Sequence, residues 1–272
     1  MRHRIGDVLL NVIDEGDGDA ILFLHGLGGC WRDWTPQVDN LRDRYRVVAV
    51  EHRGHGRSHV GDEPLTTALF AADAVDVCRG LGIDRAHVVG LSMGGLVAQQ
   101  VALAAPDLVD TLVLCDTGAY MPERMAEGLR AVAEYVRVNG MPDSRGDVPH
   151  ADPAFSRHTL AHRPHVARDN RREGAGNDPE SWARAAHAVA SHDTRAELGR
   201  IAAPTLVVYG EEDGVVLPDK AAPALMAGLA DAELLMVADA GHMVNLEQPE
   251  VFDAAITGFF ARRGRATPEA KM

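Results

Sequence analysis

A repeating rhythm restricts the fold more than any other feature of the chain. Short apolar runs rich in β-branched residues recur at 20–24, 47–50, 86–89, 111–115, 205–209 and 233–237, with longer amphipathic stretches between them. Nearly continuous hydrophobicity marks strands buried on both faces, and strands alternating with helices join in parallel. The pattern predicts a mainly parallel sheet with helices on both faces. An earlier run, 8–13, predicts an added antiparallel edge strand. Thr66 is placed to cap a helix whose Leu69, Ala72, Val75 and Val77 form an apolar stripe ending near Gly80 or Gly82. A second helix is expected over 93–105, stopped by Pro106, and a third over 249–260, opened by Pro249.

The rhythm breaks at about residue 119. Strand-like runs vanish, and His, Arg, Pro, Asp and Gly crowd 139–151 and 163–179, with helical pieces at 123–138 and 181–190. Because the sheet pattern returns at 205–209, segment 119–198 is expected to be a helical cap inserted into a core formed by 1–118 and 199–272. The polar end, 262–272, is expected to fray.

Composition limits the partners. At 272 residues, with 46% hydrophobic and 25% charged, the chain suits one large soluble α/β domain carrying an insertion. A formal net charge of −13 argues against a phosphate-binding surface, so no nucleic-acid partner is expected. No signal-peptide run or membrane-spanning stretch is read, which leaves a cytoplasmic protein without a membrane partner as the expectation. Cys30, Cys78 and Cys115 lack metal-site spacing and read as small packing residues, in keeping with a reducing compartment. The expectation is a small-molecule substrate, no cofactor, no metal, and a monomer or homodimer.

The chemistry gathers at strand ends. Run 86–89 passes directly into Gly90-Leu91-Ser92-Met93-Gly94-Gly95 and then a helix. A serine on so sharp a turn has its hydroxyl raised above the sheet edge, and the helix start puts the Met93 N–H beside it. Gly-x-Ser-x-Gly alone is weak; at a strand-to-helix junction it is specific. A serine hydroxyl needs a base, and His242, in the loop after 233–237, is the candidate. Asp213, after 205–209, is the candidate acid to orient that histidine, and the order Ser, Asp, His fits such a set. Glu211, Glu212 and Asp116 are competitors for the acid. His25-Gly26-Leu27-Gly28-Gly29 follows run 20–24, so Leu27 N–H and Met93 N–H can form an oxyanion hole. Gly26, Trp182 and His25 are candidate substrate contacts, although hydrogen bonding within its own loop is the weightier reading of His25. Met121, Met125, Met141 and Phe155 are further candidates for an apolar pocket, and Arg157, Arg163 or Arg168 for meeting a polar group. Several of His150, His158, His162, His165, His187 and His192 are expected to face solvent.

Together with Glu51-His52-Arg53-Gly54-His55-Gly56-Arg57-Ser58 and Glu247-Gln248-Pro249, these motifs resemble the α/β-hydrolase superfamily, most closely the 3-oxoadipate enol-lactonase type. The resemblance covers nearly the whole chain outside 119–198. It implies an α/β-hydrolase fold: a mostly parallel eight-stranded sheet with helices on both faces, an inserted helical cap and a Ser–His–Asp triad. Glu51 stands where such enzymes usually carry Asp. The segment 142–177 is longer, more basic and richer in histidine than theirs, so the lactonase substrate does not transfer.

The expected function is hydrolysis of a small-molecule ester, lactone or thioester through an acyl-enzyme. Alternatives on the same fold are C–C bond hydrolysis of a β-diketone-type substrate, a lyase or cofactor-free oxygenase, or ligand binding without catalysis. Dinucleotide binding is disfavoured, because Trp31 occupies the third glycine position of that fingerprint.

Overall fold

Eight strands form one sheet: β1 (Arg2–Ile5), β2 (Val8–Glu15), β3 (Ala20–Leu24), β4 (Arg46–Val50), β5 (Ala86–Leu91), β6 (Val109–Cys115), β7 (Thr205–Gly210) and β8 (Ala232–Val237). Their order across the sheet is β1-β2-β4-β3-β5-β6-β7-β8. The pairs from β4 to β8 are parallel, whereas β2 runs antiparallel to both β1 and β4. The computed structural model describes residues 1–6, 8–142 and 151–264. His150, most of the polar stretch 262–272 and most of the loop expected over 139–151 lie outside the described residues.

Burial follows strand position. Every residue of β3, β5, β6 and β7 is buried, as central parallel strands require. β2 alternates, with Val8, Leu10 and Val12 turned inward. It is not the edge that its sequence predicts. β1 lies outside it, closed by a hairpin at Gly6, whose φ is 55°. Arg2-His3-Arg4-Ile5 has too little apolar content to read as a strand, so the pairing partner identifies it.

Ten α-helices are described: α1 (Thr35–Leu41), α2 (Thr67–Gly80), α3 (Met93–Ala104), α4 (Glu123–Asn139), α5 (Arg157–His162), α6 (Pro164–Ala175), α7 (Pro179–Ala190), α8 (Pro218–Gly228), α9 (Val244–Glu247) and α10 (Pro249–Arg263). Thr66 caps α2 by accepting a hydrogen bond from Leu69 N at 3.0 Å. The period-two alternation of β3 divides the core. Leu22 and Leu24 pack with Phe70 of α2 and Val97 of α3, while Ile21 and Phe23 pack with Val38 of α1 and Phe252 of α10. Among the described residues, no helix is long and apolar enough to cross a membrane.

Helices α4 to α7 all fall between β6 and β7. The chain leaves and returns at one point, where Tyr120 and Asp193 form an antiparallel bridge and Thr194 N donates to Ala119 O at 2.8 Å. Ala133 of α4 meets Ala183 and Ala186 of α7, small side chains that let the two helices approach closely. α6 lies where the sequence reads as irregular. Of its residues only Ala167 is buried, so it shows no apolar stripe to detect.

A buried ion pair ties α2 to the loop that follows β4. Arg53 donates to Asp73 through Nε at 2.5 Å and Nη2 at 2.8 Å, and both side chains are almost fully buried. Arg53 Nη1 also donates to the exposed Glu63 at 3.3 Å, but removing Asp73 takes away the buried partner that meets the guanidinium through two nitrogens. Asp73→Ala should therefore lower unfolding free energy by about 3 kcal/mol or more, to be measured by urea denaturation.

Candidate active site

Ser92 sits alone between the end of β5 and the start of α3, with φ 53° and ψ −118°. Positive φ on a residue with a side chain is strained, by about 1–3 kcal/mol, and persists only where packing enforces it. Ser92 N donates to Cys115 O at 2.9 Å, and Ser92 O accepts from Gly95 N at 2.9 Å and from Thr117 Oγ1 at 2.8 Å. Two glycines make the turn possible. A Cβ on Gly90 would stand 2.2 Å from Gly94 O, and one on Gly94 would stand 2.0 Å from Leu24 O.

The acid and the histidine come from the next strand ends. His242 Nδ1 donates to Asp213 Oδ2 at 2.9 Å. Asp213 Oδ1 accepts from Val215 N at 2.8 Å and Val216 N at 2.9 Å, which fixes the carboxylate from its other side. Glu247, which the sequence reading gave no role, clamps the histidine loop: its carboxylate accepts from Gly241 N and from Ser156 N, each at 2.8 Å. Of the competing acids, Glu212 pairs with Arg157 at 2.9 Å and Glu211 is exposed. Asp116 is wholly buried and accepts from Gly210 N at 2.9 Å. Burial first, and then the neighbouring Asp213, push its carboxyl well above the usual carboxylate range.

Ser92 and His242 line one cavity of about 530 Å³. Among the described residues no hydrogen bond joins them. Catalytic hydrogen bonds of unliganded sites commonly tighten only when substrate is bound. Leu27 and Met93 line the same cavity, and neither N–H donates to a protein acceptor among the described residues. For Met93, the first residue of α3, no intrahelical acceptor exists. Gly26 brings the loop against the serine, since a Cβ there would stand 3.3 Å from Ser92 Cβ.

His25 does not reach the cavity. It is fully buried, with Nδ1 donating to Gly26 O at 2.8 Å and Nε2 accepting from His52 N at 3.0 Å. The backbone occupies both ring nitrogens, so the structure gives His25 a place in the loop rather than against substrate. Trp182 does line the cavity, its indole packed against Gly28, as do Met121 and Met125. Met141 and Phe155 do not, and Phe155 belongs to the core. Arg157, Arg163 and Arg168 are also absent from the lining. The polar groups found there are Asp33, Asn170 and Arg171, none of them anticipated. Asn170 Nδ2 donates to Asp33 Oδ1 at 3.1 Å, and burial raises the Asp33 carboxyl to about 7. Only the tertiary arrangement brings α6 over the turn holding Asp33. No spacing in the sequence signals it. His158, His162, His165 and His187 are exposed, but His192 is buried against Thr67, with a ring nitrogen 2.9 Å from Thr67 Oγ1.

Ser92 and His242 thus meet at one cavity beyond the carboxyl ends of the parallel strands, with Asp213 behind the histidine, which is where open α/β sheets bind ligands. Comparison with known proteins is specific. Residues 19–249 match the family model described as the alpha/beta hydrolase fold, and the chain belongs to that family. It is 31% identical over 256 residues to 3-oxoadipate enol-lactonase 1 of Acinetobacter baylyi, covering 88% of each chain. Among solved structures it resembles a thermophilic esterase from Thermogutta terrifontis, with TM-score 0.89, 30% identity and coverage of 97% of this chain and 100% of that one. It also resembles the enol-lactonase from Burkholderia xenovorans, with TM-score 0.80, 26% identity and coverage of 96% and 100%.

Burial also lowers several histidines: His52 to about 3, and His55 and His192 to about 4. A depressed histidine is neutral in the fold, while its unfolded counterpart takes up a proton below pH 6.5 or so. Its contribution is intact above that pH and declines as pH falls toward the folded value. Raised carboxyls such as Asp33 act in the opposite sense, so a difference between variants isolates the effect. Relative to His192→Gln, the wild type should lose stability between about pH 6.5 and 4, approaching roughly 3 kcal/mol. Urea midpoints across that range measure it.

Proposed function

We propose that this α/β-hydrolase is a serine hydrolase acting on a small carboxylic ester, lactone or thioester through an acyl-enzyme. The observation that carries the reading is the Asp213–His242 hydrogen bond beside a cavity that also holds Ser92 and two backbone donors without acceptors among the described residues. Similarity to proteins named enol-lactonase and esterase supports the choice of carbonyl substrate.

In this mechanism His242 Nε2 takes the Ser92 proton as Oγ attacks the carbonyl carbon. Asp213 holds the Nδ1–H and stabilises the imidazolium. Leu27 N–H and Met93 N–H receive the charge that develops on the carbonyl oxygen, where preorganised donors act most strongly. The bond from the carbonyl carbon to the leaving oxygen or thioester sulfur then breaks, and His242 gives its proton to that atom. Water enters, loses a proton to His242 and releases the acid from Ser92. Segment 119–198 serves as a cap, because Met121, Met125 and Trp182 close the cavity from above the sheet edge.

Ser92→Ala should retain the fold by circular dichroism and lose turnover of an activated ester on the order of a millionfold. Retention of the wild-type rate would end the proposal. Asp213→Asn should lower kcat by about 10,000-fold, and Asp116→Asn by far less; the reverse order, read from the same assay, would move the acid to the end of β6.

A further inference from the structure

The two edges of the sheet are built differently. β1 carries Arg2 and Arg4 along a short strand, charges of the kind that keep an exposed edge from pairing with another chain. β8, at the other edge, is six residues long and has Glu233 as its one charge, already met by Arg262 Nη2 and Arg263 Nη1 at 2.9 Å each. Thr205 N donates to Asp231 O and Glu211 N to Val237 O, both at 2.9 Å, so the odd-numbered residues turn their backbone toward β7. Ala232, Leu234 and Met236 therefore point their N–H and C=O groups outward, where they meet no partner among the described residues. Leu234 and Met236, 45% and 38% exposed, line a groove of about 390 Å³ with Pro218, Ala222, Pro223 and Met226 of α8. On the other face Leu235 and Val237 pack with Ile256 and Phe259 of α10.

We infer that β8 is the contact between two copies of this chain, paired antiparallel with its own counterpart about a two-fold axis, so that two sheets join into one. A second copy fits because an outward strand edge is complementary to itself in the antiparallel sense. Centring the axis on Leu234 opposes all three outward residues. Leu234 meets its own counterpart, and Ala232 meets the partner's Met236, a small side chain against a large one. Each opposed pair exchanges two hydrogen bonds, roughly six in all. Glu233 then stands opposite the partner's Leu235, not another carboxylate. The area is sufficient. Six residues of strand span about 20 Å, and the sheet with a helix on each face is about 30 Å thick. That end face is roughly 600 Å² per copy, about 1,200 Å² in total, where stable interfaces begin. Its apolar centre lies within a polar rim that includes the Asp219–Lys220 and Arg263–Asp231 pairs. The contact also adjoins the site, since β8 leads into the loop of His242 and α8 follows the turn of Asp213.

The test is the mass of the full chain in solution, by light scattering and sedimentation equilibrium. At micromolar concentration it should be twice the 29.2 kDa of one copy. Because position 234 faces itself, Leu234→Lys sets like charges together and should raise the dimer Kd by about 100-fold or more. Leu234→Glu should do the same. Mixing the two variants should restore a dimer with one copy of each, as a self-facing position requires. Circular dichroism reports that each variant is folded, and the mixture repeats the check. Tyr135→Lys, on the exposed side of α4, should leave the dimer intact. A monomeric wild type overturns the inference, as does a Leu234→Lys chain that stays dimeric. So does a pair of folded charge variants that fail to recombine, or a dimer lost through Tyr135→Lys instead. None of these outcomes bears on the serine-hydrolase reading, which ester turnover tests separately.

Discussion

The site depends on one enforced backbone conformation. Ser92 keeps a φ of 53° because β5 and α3 are pressed together too tightly for any other path between them. Carbonyl oxygens of Gly94 and Leu24 occupy the space that side chains at positions 90 and 94 would need. The same closeness seats the first N–H of α3 against the cavity and brings Gly26 beside the serine. Strain at one residue is thus offset by packing across three parallel strands, β3, β5 and β6, all fully buried.

Much of this was legible because it is local. A strand, a glycine pair and a helix within 86–104 specify the turn without help from the rest of the chain. The acid and histidine were legible for a related reason: parallel strands deliver their carboxyl ends to one edge, so residues just past 205–209 and 233–237 must meet there. What stayed hidden depends on tertiary partners. β1 contains a single apolar residue and exists because β2 offers it a ladder. α6 buries only Ala167 and carries its meaning in Asn170 and Arg171, which matter once the helix lies over Asp33. His25 follows the weightier of its two sequence readings. Its place in a glycine-rich loop invites a role at the substrate, yet both ring nitrogens are taken by backbone.

The inserted helices and the serine loops are mechanically joined. Asn177 Nδ2 donates to Gly28 O at 2.6 Å, and Trp182 packs on Gly28, so the loop bearing Leu27 is held from above by the α6–α7 connection. On the other side, Glu247 links Ser156 of the insertion to Gly241, the neighbour of His242. Ser156 Oγ adds a bond to Asp239 O at 2.9 Å. The cavity lining and the proposed reacting groups therefore share their supports, as a precisely held site requires.

Electrostatics decide between the two buried acids. Asp116 and Asp213 follow adjacent strands, β6 and β7, and lie close enough for the charge of one to oppose ionisation of the other. That charge adds to burial in disfavouring ionisation of Asp116. Asp213 faces the His242 ring and two backbone N–H groups. Asp116 is as fully enclosed and accepts from Gly210 N, but it meets no imidazole, and burial is the largest influence raising its carboxyl. Asp116 is thereby held toward its neutral form, tied to the Gly210 N–H, while the hydrogen bond to the imidazole is made by Asp213.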